Sequence, residues 1–155
     1  MPTLDPGHPA PAISLPRDGG GVTSLTDFAG KPVVIYFYPK DDTPGCTIEA
    51  QGFTTEVEAF AASGATVLGV SKDSVKKHDK FRDKYGLRIA LLSDEAGDVC
   101  ERYGVWVEKS MYGKTYMGIE RATFLIDGTG TIARVWRSVK VPGHVDEVLA
   151  AVRAL

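Results

Sequence analysis

The chain is short of cysteine, of charge imbalance and of long apolar runs, and each shortage closes off a class of protein. Two cysteines in 155 residues cannot build a disulfide scaffold or a four-thiolate zinc site. Eighteen basic against 20 acidic side chains leave a formal net charge of −2. Nucleic acid and anionic membrane surfaces therefore find no electrostatic footing. The longest uninterrupted apolar run is Val33-Val34-Ile35-Tyr36-Phe37-Tyr38, far below the roughly 20 residues of a membrane span. Residues 1–9 carry neither a basic nor an apolar leader segment, which points to the cytoplasm, where thiols stay reduced. The three histidines, His8, His78 and His144, share no ligand spacing with one another or with the cysteines, so neither a metal nor a cofactor is assigned.

What is present is an ordinary globular composition, 43% hydrophobic and 25% charged, which excludes disorder as the main state. The length suits a single domain over residues 1–155, large enough to fold without staples. Residues 12–15 and 22–25 read as short strands around Asp18-Gly19-Gly20-Gly21, an N-terminal β-hairpin. The apolar run at 33–38 is β-branched and aromatic, the pattern of a central strand buried on both faces. Residues 65–70 and 89–92 give two further buried strands. Helical patterns cover 43–62, 74–85, 98–103 and 145–155, with Gly86 and Gly104 as stops. Residues 105–119 read as a glycine-rich, aromatic loop, with Trp106, Tyr112 and Tyr116 either lining a substrate approach or packing as a lid over the core. Residues 122–126 and 132–137 form a hairpin around Asp127-Gly128-Thr129-Gly130. The order predicts an α/β three-layer sandwich with a central mixed sheet, compatible with a thioredoxin-like fold.

One segment carries chemistry: Tyr38-Pro39-Lys40-Asp41-Asp42-Thr43-Pro44-Gly45-Cys46-Thr47-Ile48-Glu49. It joins the most hydrophobic strand to the longest helix, beyond a strand's carboxyl end, where open α/β sheets bind ligands. Thr43 is a natural N-cap and Pro44 suits the first helical position. Cys46 then falls in the first turn, where unpaired N–H groups and the helix dipole favour an anion. That setting lowers a cysteine's pKa, and a thiolate is the nucleophile a thiol is not. Gly45 lets a substrate approach the backbone. An isolated cysteine at a helix start is more often a small buried hydrophobe; the Thr-Pro-Gly-Cys context reverses that preference.

The pattern Pro39-x-x-x-Thr43-x-x-Cys46, extended over Phe37 to Ala50, resembles the Q-type peroxiredoxins, also called bacterioferritin comigratory proteins. The resemblance continues through Tyr103-Gly104-Val105-Trp106, Glu108-Lys109-Ser110 and Gly118-Ile119-Glu120-Arg121-Ala122-Thr123-Phe124-Leu125-Ile126-Asp127. It implies a thioredoxin-like fold and reduction of hydrogen peroxide and organic hydroperoxides. By similarity Cys46 is the peroxidatic cysteine, its thiolate attacking the O–O bond and becoming a sulfenic acid. Thr43 orients peroxide and thiolate, Pro39 shields the thiolate from water, and Arg121 stabilises the thiolate and polarises the peroxide oxygens, as fixed guanidinium donors can. Each helper also has a plainer reading: Thr43 as N-cap alone, Pro39 as strand terminator, Arg121 as a solvated strand-edge residue. Glu49 is either an active-site hydrogen-bonding group or a surface carboxylate.

Two departures from that family affect the mechanism. Many members carry a resolving cysteine five residues after the peroxidatic one, where this chain has Gln51. Others carry it in the stretch matching Lys80-Phe81-Arg82-Asp83, also without cysteine here. The remaining thiol, Cys100, reads more readily as core than as a redox partner. The expectation is a one-cysteine enzyme, a monomer, recycled by an external thiol such as thioredoxin. Two alternatives stay open: Cys100 as the resolving cysteine, and a thioredoxin-fold thiol–disulfide oxidoreductase, against which the absence of Cys-x-x-Cys argues.

Overall fold

The structure, a computed structural model, describes residues 4–155; residues 1–3 of the N-terminal stretch read above lie outside the described residues. In chain order the elements are β1 (Ser14–Pro16), β2 (Val22–Ser24), a 3-10 turn (Leu25–Phe28), β3 (Val33–Phe37), α1 (Pro44–Thr55), α2 (Val57–Ala62), β4 (Thr66–Ser71), α3 (Val75–Tyr85), β5 (Ala90–Ser93), α4 (Val99–Arg102), β6 (Trp106–Met111), β7 (Lys114–Ile119), β8 (Ala122–Ile126), β9 (Ile132–Trp136) and α5 (His144–Arg153).

The five-stranded sheet runs β5-β4-β3-β8-β9, so the most apolar strand lies at its centre. β3 pairs parallel with β4 and antiparallel with β8, which makes the sheet mixed. Every residue of β3 is buried, because alternate side chains enter two separate core layers. Val33, Ile35 and Phe37 join the layer formed with the β1–β2 hairpin and α4. Val34, Tyr36 and Tyr38 join the layer formed with α1, α2, α3 and α5. This is the three-layer arrangement read from the sequence.

Helix α3 is closed at both ends by its own sequence. Ser74 accepts a hydrogen bond from the Lys77 N–H, and Gly86 takes the left-handed conformation (φ +60°) that stops the helix. Two expectations change. The helix predicted over 43–62 is two helices, broken at Glu56 (φ −98°, ψ 8°). The segment 105–119, expected as a loop, is an antiparallel ribbon of β6 and β7. Its turn is made by Tyr112 and Gly113, both at positive φ (+52° and +76°), the backbone of a type I′ hairpin turn. Tyr112 is 97% exposed and Tyr116 also faces solvent, so neither packs as a lid over the core.

Candidate active site

α1 begins where its sequence dictates. Thr43 is the N-cap residue, Pro44 opens the helix and Cys46 sits in its first turn. The Thr43 hydroxyl does not cap, however; it donates to the Lys40 carbonyl at 2.8 Å and so fastens the turn before the helix. Pro39 and Lys40 are exposed in that turn. Cys46 is only 1% exposed and belongs to the same core layer as Tyr36, Tyr38, Ala50 and Phe53.

Arg121, between β7 and β8, is the charged group that reaches this cysteine. Its Nη2 donates to Cys46 Sγ at 3.4 Å and its Nη1 to Glu49 Oε1 at 2.7 Å. One guanidinium thus bridges two positions one helical turn apart, using the planar fork that distinguishes arginine from lysine. Gly45 makes this possible. A Cβ there would stand 3.2 Å from Arg121 Nη2, so the glycine admits the guanidinium rather than serving only substrate approach. The plainer readings of Arg121 as a solvated edge residue and Glu49 as a surface carboxylate are both displaced. The Arg121 side chain is mostly buried and Glu49 is fully buried.

Burial, opposed by the charge and hydrogen bond of Arg121, raises the Glu49 carboxyl from 4.5 to about 7. Its second oxygen, Oε2, has no hydrogen-bond partner among the described residues, a further reason for a neutral acid. The Tyr36 hydroxyl is likewise buried without a partner. Burial, and then the charges of Glu49 and Cys46, hold its proton well above the ordinary tyrosine range. Tyr36 was not singled out in the sequence; its only signal is that it shares a strand face with Tyr38. Lys109 of β6 also feels Cys46 and Arg121, and burial followed by the arginine's charge lowers its affinity for a proton. From sequence alone its one distinction is its place in the matching block Glu108-Lys109-Ser110.

Cys100 stands elsewhere. It is fully buried on α4 in the opposite core layer, across the sheet from Cys46. Its N–H donates to Asp94 Oδ2 at 2.8 Å. Burial first, and the Asp94 charge second, push its thiol well above the usual range. Such a thiol is a poor nucleophile, and a disulfide needs Cα atoms within about 7 Å. The fold separates the two sulfurs by a layer of β-sheet.

A histidine-containing cluster lies at the turn that precedes α1. Asp41, Asp73 and His78 bring three ligand-type atoms within 4.8 Å of one another. Each of the three side chains is already engaged in hydrogen bonds within the protein.

The chain is similar to known proteins over most of its length. The profile of the AhpC/TSA family matches residues 6–135. A putative peroxiredoxin bcp of Coxiella burnetii is 54% identical over 147 residues, covering 95% of this chain and 97% of that protein. Peroxiredoxin Bcp of Escherichia coli K12 is 47% identical over 149 residues, covering 96% of each. Among solved structures, a cysteine-to-serine mutant of Xylella fastidiosa PrxQ superposes with a TM-score of 0.93 at 41% identity, over 99% of this chain and 98% of that one. Xanthomonas campestris bacterioferritin comigratory protein, studied for alkyl peroxide reduction in trapped intermediate and ligand complexes, superposes with a TM-score of 0.87 at 48% identity, over 92% and 90%.

Proposed function

The chain belongs to the AhpC/TSA family and is a thiol-dependent peroxidase of the peroxiredoxin type; on that premise we propose that it works with one cysteine, Cys46, restored by a thiol from outside. The Cys46 thiolate attacks the terminal oxygen of a hydroperoxide. The S–O bond forms as the O–O bond breaks, and the leaving oxygen takes the peroxide proton and departs as alcohol or water, leaving a sulfenate that takes a proton from solvent to become the sulfenic acid. An external thiol then attacks the sulfenic acid, releasing water and leaving a mixed disulfide. A second thiol returns Cys46 to the reduced state and leaves as disulfide.

The other residues act around that sulfur. Arg121 presents Nη2 toward Sγ at 3.4 Å, so its charge faces the oxygen on which negative charge grows in the transition state. Glu49 aims the guanidinium through the 2.7 Å bond to Nη1. The Thr43 hydroxyl, with its proton on Lys40, offers its oxygen as acceptor to the peroxide O–H. Gly45 leaves room for the arginine, and Pro39 ends the strand and starts the turn that carries Thr43.

The observation that carries the one-cysteine reading is the placement of Cys46 and Cys100 in core layers on opposite faces of the sheet. Thioredoxin or a small thiol in a reducing cytoplasm suits such a cycle, and the chain acts as a single-domain monomer. No helix of the described residues is long and apolar enough to cross a membrane. The test is turnover of hydrogen peroxide and an organic hydroperoxide with candidate thiols, comparing wild type with Cys100→Ala. The variant keeps the wild-type rate within about twofold; loss of turnover with every thiol would assign Cys100 the resolving role.

A further inference from the structure

Cys46 is 1% exposed. A hydroperoxide can reach such a sulfur, but a protein thiol cannot. The turn at residues 39–43 and the first turn of α1 must therefore open for reduction and close for the next peroxide. What holds the closed state is written in the contacts of that turn. Tyr38 Oη donates to Asp41 Oδ1 at 2.6 Å, and His78 Nδ1 meets Asp41 Oδ2 at 2.6 Å. The Asp41 N–H donates to Asp73 Oδ2 at 2.9 Å, an oxygen that also accepts from Ser71 Oγ at 2.7 Å. Asp42, in the left-handed region at φ +57°, is gripped by Lys84 Nζ at 2.9 Å and Tyr85 Oη at 2.5 Å. Helix α3 thus supplies His78, Lys84 and Tyr85 to the turn that precedes Cys46.

The decisive feature is the ring of His78, which is fully buried. Its Nε2 lies 2.9 Å from the Leu92 carbonyl, which only accepts, so Nε2 carries a hydrogen. Its Nδ1 faces a carboxylate oxygen at 2.6 Å. With both ring nitrogens aimed at acceptors, the ring is an imidazolium unless Asp41 is itself protonated. We propose that the buried His78–Asp41 ion pair is a clasp that keeps the turn closed over Cys46, and that loss of one proton from His78 loosens it. His78 and Asp41 are then positioning residues, acting on Cys46 through the turn between them.

The charges facing this ring come from every neighbouring element. Asp41 stands on the turn after β3, with Tyr38 behind it. Asp73 stands on the turn after β4, and the Leu92 carbonyl belongs to β5. Burial lowers the proton affinity of His78, but the bonds and charge of Asp41, with smaller help from Leu92 and Asp73, outweigh it and raise it above 6.5. The sign follows. The clasp is fully present below about pH 6.5 and is lost as pH rises through the higher folded-state value.

The inference rests on the peroxidase reading only for its consequence in the cycle, and both tests use the reduced resting enzyme without peroxide. A failure here is therefore separable from a failure of turnover. Nitrogen NMR of the histidine rings at pH 6.5 will show both His78 nitrogens protonated; a ring with one bare nitrogen would overturn the proposal. In parallel, Cys46 is alkylated with iodoacetamide and with a bulky maleimide, and the bulky-to-small rate ratio is followed with pH. That ratio rises about tenfold as the clasp is lost, as expected for one hydrogen bond to a charged group. In His78→Gln it is high and flat. A ratio independent of pH in the wild type would also overturn the proposal, and that series needs no variant to fold.

Discussion

The two faces of the central sheet each hold one cysteine, and they treat the same thiol in opposite ways. On one face Cys46 sits in the first turn of a helix with an arginine at 3.4 Å and a buried glutamate behind that arginine. On the other, Cys100 lies among Leu92, Val99 and Tyr103, with the buried carboxylate of Asp94 as its nearest charge. Both cysteines are buried, and burial is the first cause that raises the Cys100 thiol, with the Asp94 charge second; what separates the two settings is the sign of the charge each sulfur meets. A cation beside a thiol favours the reactive anion; an anion beside it does the reverse.

The largest way to break this contrast is Cys46→Ser. It abolishes peroxide consumption with any thiol while the fold, followed by circular dichroism, is retained. Persistent turnover would move the chemistry to the other face. Next is Arg121→Ala, which removes the cation from Sγ and strands Glu49 without a partner. The rate of the peroxide step, measured by stopped flow, falls about 10²-fold or more, the usual cost of losing one preorganised donor. A change below threefold would deny Arg121 its part.

A smaller effect sharpens the role of the carboxylate. Glu49 titrates at about 7 in the folded protein against 4.5 unfolded. The folded state therefore holds an extra proton between those values. Its contribution to stability is greatest below pH 4.5 and falls as pH rises to 7, by about 3 kcal/mol in all. Urea midpoints at pH 4.5 and 7.5 for wild type and Glu49→Gln measure it. The variant loses that component of the pH dependence, whereas parallel curves would mean that Glu49 is ionised throughout.

The features readable from the sequence were those set by neighbours along the chain. The run at 33–38 announced a central strand, and Thr43-Pro44-Gly45-Cys46 announced a thiol in a helix's first turn; the structure has both. The partner of that thiol was not local. Arg121 lies 75 positions away from Cys46, and only the family resemblance brought it forward. Burial of Glu49 could not be told from that of any helical carboxylate before α1 was placed. The β6–β7 ribbon escaped because its strands are largely exposed, so no buried alternation marks them, and because Tyr112 takes a positive φ usually given to Asn, Asp or Gly. The His78–Asp41 pair escaped for the same reason as Arg121. Its members are 37 positions apart and meet only when α3 packs over the turn after β3.

The separation of the two thiols is tested most directly by mass spectrometry under non-reducing conditions after one equivalent of peroxide. Cys46 will carry a single oxygen, trappable by dimedone, and Cys100 will remain a free thiol. A stoichiometric Cys46–Cys100 disulfide would contradict the one-cysteine account.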